Sequence, residues 1–232
     1  MSDAPPISPP SRRRVRSFVR REGRMTPAQK RALERLWPRF GLPPEGEVTA
    51  ERLFGRACPL QLEIGIGTGD TLLALARHWP RDGFIGVEVH RPGLGHCLQH
   101  LEREAVGNVR LACADAVELL RERIPAQSLS RVHIYFPDPW HKKRHHKRRL
   151  IQPAFLELLA DRLAGHGQVH LATDWDDYAE WIHQAIASQR SLVNLAGPGR
   201  TAPRPAWRPV SRYEARALRL GHRLHHFLLG RV

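Results

Sequence analysis

The fold of this chain of 232 residues is decided by Leu62-Glu63-Ile64-Gly65-Ile66-Gly67-Thr68-Gly69-Asp70. An apolar run over residues 60–66 passes into closely spaced glycines, and an amphipathic run over residues 70–79 follows. Glycine allows a tight turn and a close approach of the backbone to a ligand where a strand passes into a helix. The stretch therefore predicts a strand, a ligand-binding turn and a helix, in that order.

The same alternation of short apolar runs and amphipathic runs continues to the C-terminus. It predicts strands at 60–66, 84–89, 108–113, 131–136, 168–173, 191–195 and 224–229, and helices at 70–79, 93–106, 116–123, 153–163 and 175–188. Strands that alternate with helices favour an α/β fold, here a mostly parallel sheet of seven strands with helices on both faces. The last strand follows a basic segment and is a candidate for the antiparallel orientation.

The N-terminal part of the chain is predicted to differ from the rest. Residues 1–15 are basic and rich in proline, which is typical of a disordered tail. Residues 26–40 predict a helix, with Thr26 as its N-cap and Pro27 at its first position. We therefore expect a single domain over residues 16–232 with an N-terminal helical extension.

The charge balance points to a polyanionic partner. The chain has 37 Lys and Arg against 23 Asp and Glu, a net charge of +14. Such an excess is typical of nucleic-acid binding, although a basic surface that only aids solubility is the alternative. The sequence has neither a secretory signal nor an apolar run of the ~20 residues that a membrane span needs.

Cysteine usage indicates a reducing compartment. Cys58, Cys97 and Cys113 are odd in number and far apart, unlike a disulfide framework or a zinc ribbon. We expect a cytoplasmic protein without a membrane partner or an evident obligate protein partner. The choice between a monomer and a homodimer stays open.

Acidic residues lie on the first two predicted strands and just after the next three, in each case near the carboxyl end. They are Glu63, Glu88, Asp115, Asp138 and Asp174. Ligands of open α/β sheets bind beyond these ends, so we expect the acids to converge on one site. The alternative is that loop acids cap the following helices, which suits Asp174 best.

The glycine turn favours a cofactor without phosphates. A dinucleotide motif requires a third glycine where Asp70 stands, and Glu63 and Asp70 would face a pyrophosphate with two negative charges. S-adenosylmethionine has an ammonium, a sulfonium and no phosphate, and we expect it against Gly65 and Gly67. Glu88, about twenty residues farther on, is placed to accept the ribose hydroxyl protons, and Asp115 to reach the adenine.

A second motif, Phe136-Pro137-Asp138-Pro139-Trp140, predicts a pocket for a flat base. The carboxylate of Asp138 can accept both the N1–H and N2–H₂ donors of guanine, and Phe136 or Trp140 can stack on the ring. The alternative is a structural turn with Trp140 in the core.

A dense basic segment follows the base-pocket motif directly. Six of the eight residues from Lys142 to Arg149 are Lys or Arg, which suits several phosphates. We expect no metal here, because His141, His145 and His146 lie among cations without a carboxylate or cysteine to complete a ligand set.

These motifs resemble those of the bacterial-type tRNA (guanine-N7-)-methyltransferases, and the likeness runs from residue 18 to the C-terminus. It rests on Leu62-Glu63-Ile64-Gly65, Gly86-Val87-Glu88-Val89-His90-Arg91-Pro92-Gly93, Phe136–Trp140 with its basic tail, Ala172-Thr173-Asp174-Trp175 and Arg208-Pro209-Val210-Ser211-Arg212-Tyr213-Glu214-Ala215-Arg216. The resemblance implies a class I S-adenosylmethionine-dependent methyltransferase fold and, as target, guanine 46 in the variable loop of tRNA.

The resemblance also implies a role for individual residues. Cofactor contacts are implied for Glu63, Glu88, Asp115 and Asp138, of which Asp138 is also the implied catalytic residue. Substrate contacts are implied for Lys142, Asp174, Ser211, Arg212, Tyr213 and Glu214, and RNA contacts for Arg144, His145, His146, Lys147, Arg148 and Arg149. The chain departs from the family pattern at Ile66 (usually Phe), Ser211 (usually Thr) and Ala217 (usually Gly), and the serine keeps the hydroxyl.

The predicted reaction needs no strong base, because guanine N7 carries a free lone pair. Alignment of N7 with the methyl group and stabilisation of the cationic product suffice. Two rival functions remain: methylation of a base amino group, since Asp138-Pro139-Trp140 partly resembles an Asp-Pro-Pro-aromatic site, and RNA binding without catalysis on a methyltransferase fold.

Overall fold

The computed structural model describes residues 17–18 and 23–232. The tail predicted for residues 1–15 lies outside the described residues, and so do residues 19–22 of the stretch that resembles the family. Disorder of that tail stays a prediction.

A single sheet of seven strands organises the described chain, as the sequence predicts. The strands are β1 (Leu60–Ile64), β2 (Gly83–Val87), β3 (Val109–Ala112), β4 (Leu129–Tyr135), β5 (Leu163–Thr173), β6 (Leu192–Asn194) and β7 (His225–Arg231). Their order across the sheet is β3-β2-β1-β4-β5-β7-β6. Strands β1 to β5 are parallel, and β7 runs antiparallel to both β5 and β6. The last strand is therefore antiparallel, as the sequence suggested.

Eight α-helices surround the sheet in the described part of the chain. They are α1 (Pro27–Phe40), α2 (Ala50–Phe54), α3 (Asp70–His78), α4 (Arg91–Arg103), α5 (Ala116–Glu122), α6 (Pro153–Arg162), α7 (Asp176–Ala187) and α8 (Arg212–Arg219), together with a 3-10 helix at Lys143–Arg148. The six predicted helices are all present. Helix α2 is too short to show a periodic pattern, and α8 is so rich in charge that its sequence indicates only a basic segment.

The N-terminal helix α1 has the predicted capping. The Thr26 hydroxyl accepts a hydrogen bond from the Gln29 backbone N–H at 3.2 Å, and the Gln29 side chain accepts one from the Thr26 backbone N–H at 2.8 Å. Helix α1 packs closely on α4, because an added Cβ at Gly95 would lie 2.9 Å from the Gln29 carbonyl oxygen. The helical extension therefore rests on the sheet-forming part of the chain.

The two faces of the sheet are covered differently. Helices α5, α6 and α7 pack an apolar core on one face, and α1, α3 and α4 pack a second core against β2 and β3 on the other. The rest of that second face, over β4, β5 and β7, carries polar side chains, among them the buried His133 and His170. Trp207 lies against both imidazole rings, at centroid distances of 5.7 and 5.5 Å. Among the described residues, no helix is both long and apolar enough to cross a bilayer.

Candidate active site

A cleft of about 350 Å³ lies at the carboxyl ends of β1, β2 and β4. Seven of the residues singled out by sequence meet there: Glu63, Gly65, Gly67, Glu88, Asp138, Ser211 and Tyr213. The topology explains this, since β1 lies between β2 and β4 in the sheet and all three run parallel. Their carboxyl ends therefore share one edge.

The glycine turn after β1 has the backbone conformation that its sequence predicts. Gly65 and Gly67 have φ of 79° and 55°, in the left-handed region where a side chain is disfavoured. An added Cβ at either position meets no atom of the described chain within 4 Å, so both face open space in the cleft. An added Cβ at Gly93, by contrast, would lie 2.4 Å from the Gly67 carbonyl oxygen. The turn is thus packed tightly on α4 and open towards a ligand.

Glu88 holds the glycine turn to the end of β2. Its Oε2 accepts a hydrogen bond from the Gly67 N–H at 2.9 Å, and its Oε1 accepts from the Val89 and His90 N–H groups at 2.7 and 2.9 Å. A carboxylate has about four acceptor positions, so these bonds leave about one for a ligand hydroxyl. Glu88 therefore shapes the turn in addition to the ligand contact that the sequence predicts.

Glu63 is the buried acid of the cleft. It lies on β1 with 3% of its surface exposed, and its Oε2 has no hydrogen-bond partner among the described residues. Burial raises the pKa of Glu63 to about 8, while the nearby Arg208 lowers it and Asp70 and Glu88 raise it further. At this pKa the Glu63 side chain is mostly protonated at neutral pH, and a cationic ligand group beside it would favour the ionised carboxylate.

The base-pocket motif turns sharply at the end of β4. Phe136 and Trp140 have positive φ values of 50° and 48°, a conformation that side chains adopt rarely and that is concentrated at functional sites. The Phe136 N–H donates to the Ala172 carbonyl at 2.8 Å, which fixes the start of the turn on β5. Asp138 is exposed at the cleft.

Only one of the two candidate stacking rings lines the cleft. Phe136 does so, whereas Trp140 lies under the Arg148 guanidinium, 5.0 Å from its carbon to the ring centroid, and its ring centroid is 5.8 Å from that of His145. The Trp140 indole N–H donates to the Ser17 carbonyl at 3.1 Å. Trp140 therefore supports the basic segment, and Phe136 is the ring available to a base.

The basic segment forms the 3-10 helix and presents most of its cations to solvent. Lys142, Lys143, Arg144 and Lys147 are exposed, and His145, His146 and Arg148 are partly buried. The positions of Lys142 and Arg144 to Arg148 are thus compatible with phosphate contacts. Desolvation lowers the pKa of His145, and Arg144 and the other nearby cations lower it further.

Arg149 differs from the other predicted RNA contacts because its side chain is buried. Its side chain is 2% exposed, donates to the Pro139 carbonyl at 2.8 Å and forms an ion pair with Asp177. The guanidinium carbon lies 5.0 Å from the ring centroid of Tyr178 and 5.2 Å from that of Trp181. In this structure Arg149 joins the base-pocket motif to α7, and its predicted contact with RNA stays a prediction.

Asp115 and Asp174 do not line the cleft. The Asp115 carboxylate accepts from the Val117 N–H at 2.9 Å and caps α5, so its predicted contact with adenine stays a prediction. Asp174 lies in a separate groove, 3.4 Å from the His222 imidazole nitrogen. Helix α7 has Trp175 as its N-cap position, so Asp174 is not the cap that the alternative interpretation required.

Glu214 is also buried, and its predicted contact with substrate stays a prediction. It is 1% exposed and forms an ion pair with the fully buried Arg208. Ser211 is the N-cap of α8 and accepts from the Glu214 N–H at 3.2 Å. Tyr213 is 69% exposed beside the cleft. The side chain of Arg212 lies outside the described part of the chain.

Two features of the site were missed from sequence. Tyr135 lines the cleft and Arg208 lies behind it, over the Tyr135 ring. The available signal was the alternation of polar residues on β4, with His133 and Tyr135 between apolar neighbours. A larger hollow of about 990 Å³ adjoins the end of β2 and is lined by Trp37, Val89 and Cys113 among others.

One group of described residues has the spacing of metal ligands, and it lies outside the basic segment. It comprises Asp70, His96 and His100, whose candidate ligand atoms lie within 4.8 Å of one another. His100 Nδ1 is 3.5 Å from an Asp70 carboxylate oxygen. That the protein uses no metal stays a prediction.

Comparison with known proteins agrees with this architecture. Residues 57–227 match a family model described as "Putative methyltransferase". A tRNA (guanine-N(7)-)-methyltransferase of Halorhodospira halophila is 53% identical over 215 residues, covering 92% of this chain and 93% of the relative. The enzyme of the same name from Methylococcus capsulatus is 52% identical over 210 residues, covering 90% and 91%.

Among solved structures, the aminoglycoside resistance methyltransferase NpmB1 superposes with a TM-score of 0.52 at 14% identity. The match covers 80% of this chain and 95% of that structure. At this identity the likeness concerns the fold alone. Together with the strand order, it confirms the predicted class I methyltransferase fold.

Proposed function

The chain belongs to the tRNA (guanine-N(7)-)-methyltransferase family, and we propose that it transfers a methyl group from S-adenosylmethionine to N7 of guanine 46 in the variable loop of tRNA. The observation that carries this proposal is the cleft in which Glu63, Glu88 and Asp138 meet, at the edge of the sheet from which the basic segment continues. Because tRNA is the substrate, we propose a cytoplasmic location.

The residues of the cleft fit the donor. When bound, S-adenosylmethionine supplies an electrophilic methyl group on a sulfonium. Glu63 offers the ammonium of the donor a buried carboxyl oxygen that has no partner among the described residues. Gly65 and Gly67 leave room for it along the turn, and Glu88 has an acceptor position for a ribose hydroxyl. The adenine then enters the hollow at Val89, the residue after Glu88.

Asp138 is proposed to orient the base. Its exposed carboxylate at the cleft accepts the N1–H and N2–H₂ protons of guanine, and Phe136 stacks on the ring. The lone pair on N7 needs no base to expose it, so the part of Asp138 in the chemical step is to hold the ring and to offset the positive charge that it acquires. Ser211 and Tyr213 complete the opposite wall.

The exposed cations beside the cleft are proposed to bind the tRNA backbone. Lys142 follows Asp138 by four residues, and Arg144 and Lys147 lie on the same short helix. Cations that neutralise phosphates bind RNA in a salt-dependent way without reading its sequence. Selection of one guanine therefore falls to the cleft, and the basic segment supplies affinity.

The proposal is tested by identifying the methylated nucleoside. Purified protein is incubated with labelled donor and a tRNA transcript, and the product is digested and separated. We expect 7-methylguanosine from a transcript with guanine 46 and none when adenine replaces it. Labelled N2-methylguanosine would instead identify the amino-group methyltransferase, and tRNA binding without donor binding or label would identify the non-catalytic alternative.

A further inference from the structure

A row of buried polar side chains lies behind the cleft, on the second face of the sheet and outside the apolar core that α1, α3 and α4 form there. Side chains alternate along a strand, and the apolar residues of β1, β4, β5 and β7 belong to the core with α5, α6 and α7. The intervening residues share the opposite face: Gln61, Glu63, His133, Tyr135, His170 and His226. Glu63 and Tyr135 line the cleft, and the others lie deeper in the same face.

Four of these side chains form one hydrogen-bonded row. His133 Nε2 lies 2.8 Å from the Gln61 side-chain oxygen, and the Tyr135 hydroxyl lies 2.9 Å from His133 Nδ1 and 3.0 Å from His170 Nδ1. Burial lowers the pKa of His133 to about 3 and that of His170 to about 2, so both imidazoles are neutral at physiological pH. The row adds polarity behind the cleft but no charge.

Arg208 brings a cation onto this neutral surface. It is fully buried, and its guanidinium carbon lies 4.7 Å from the Tyr135 ring centroid. The guanidinium forms an ion pair with Glu214, while its Nε and one terminal nitrogen have no partner among the described residues. The Tyr135 ring under Arg208 and the Glu63 side chain line the same cleft from the paired strands β4 and β1, which places this cation on the same side of the sheet as Glu63. Arg208 accordingly lowers the pKa of Glu63.

The Arg208–Glu214 pair also closes a short loop at the cleft. Between the two residues lie Ser211, which caps α8, and Tyr213, and both line the cleft. Arg204 reinforces the closure, with its Nε 3.6 Å from the Glu214 carboxylate. Loss of the pair would release the segment that forms one wall of the site.

We propose that Arg208 is a positioning residue for methyl transfer, which holds the Ser211–Tyr213 turn at the cleft through Glu214 and provides the counter-charge for Glu63. The effect of Arg208 on turnover rests on the proposed function. The effect of Arg208 on the ionisation of Glu63 is independent of the substrate. This role also includes Glu214, which is buried and acts here through its ion pair with Arg208.

The first experiment measures ionisation of Glu63 without any ligand. Protein with ¹³C-labelled glutamate carboxyls is titrated by NMR, and the Glu63 signal is assigned by its loss in Glu63→Gln. Arg208→Gln should move the Glu63 midpoint up by about one pH unit, the lower end of the effect of an opposite charge. Asp70 and Glu88 then act on Glu63 without opposition.

The matched control for this titration is Arg162→Gln, which removes another largely buried arginine that bonds to the Leu120 carbonyl. We expect no shift of Glu63 in this variant. Glu214→Gln leaves Arg208 without its counter-ion and should move the midpoint down, so it carries the test where Arg208→Gln does not fold. An unchanged Glu63 midpoint in the folded variants would overturn the proposal.

The second experiment separates positioning from charge. Arg208→Lys keeps the cation but loses the planar fork that holds Glu214, so we expect the KM for tRNA to rise about tenfold while affinity for S-adenosylhomocysteine stays within twofold. Wild-type KM in Arg208→Lys, with thermal unfolding as the check on folding, would contradict the role in holding the turn. If the wild type makes no 7-methylguanosine, the proposed function fails. The titration of Glu63 still tests whether Arg208 acts on the ionisation of Glu63.

Discussion

The donor cleft and the basic segment are neighbours at one edge of the sheet, yet the acid of the cleft is buried and most cations of the basic segment are exposed. In the cleft, Glu63 is buried and its ionisation depends on what surrounds it. In the basic segment, Lys142 and Lys147 are exposed and meet solvent ions directly. Burial makes the ionisation of a group sensitive to its neighbours and to pH, whereas the interactions of an exposed charge are screened by solvent and weaken as salt is added.

The two regions are also physically joined. Arg149 donates to the Pro139 carbonyl, and Trp140 lies under Arg148. The turn that presents Asp138 and the helix that presents the lysines are therefore packed as one piece. Under the proposed function, this connection would fix the orientation of a bound tRNA relative to the cleft.

The largest expected effect is on the rate of methyl transfer, and it separates the role of the cleft from that of the basic segment. Asp138→Asn should lower the single-turnover rate of methyl transfer about 10²- to 10³-fold, as expected when a preorganised charge at a reaction centre is lost. Affinity for tRNA, measured by filter binding, should stay within twofold because the phosphate contacts are intact. A fall in affinity with an unchanged rate would assign Asp138 to the tRNA surface instead.

The next effect concerns the penalty of burying Glu63. The pKa of folded Glu63 is about 8 against an ordinary value of 4.5, so the folded chain binds more protons between these values and wild-type stability falls as pH rises through them. Glu63→Gln lacks this dependence. Its free energy of unfolding relative to wild type should increase by on the order of 3 kcal/mol from pH 5 to pH 8.5.

Denaturant unfolding at both pH values measures this difference, with the exposed Glu122→Gln as a control that should follow wild type. S-adenosylhomocysteine should bind Glu63→Gln more weakly in calorimetry. Equal pH dependence in the two glutamate variants would show that the buried carboxyl is not the group that titrates.

The smallest effect distinguishes two cations within the basic segment. Lys147→Ala should reduce the slope of log affinity for tRNA against log salt by about 0.7–0.9, the value for one phosphate contact. Arg149→Met should leave that slope unchanged and lower the free energy of unfolding by about 1–3 kcal/mol, because buried partners of the guanidinium lose their donor. A reduced slope in Arg149→Met would restore Arg149 to the RNA-binding surface.

Most of the fold was predictable because buried parallel strands are continuous apolar runs and the helices between them are amphipathic. The short α2 and the charged α8 gave no such pattern, and their formation depends on caps at Thr49 and Ser211. The converging residues of the cleft were predictable for a related reason. Strand ends in a parallel sheet share an edge, so Glu63, Glu88 and Asp138 had to approach one another.

Sequence alone thus determined the fold class, the glycine turn, the acids of the cleft and the basic character of the neighbouring surface. Only the tertiary structure decided which charges are buried. Arg149 and Arg208 look like solvent-exposed cations in their motifs, but aromatic rings from Tyr178, Trp181 and Tyr135 enclose them. The residue type determines which charge a side chain carries, whereas the packing of segments distant in sequence determines how far that charge is exposed to water.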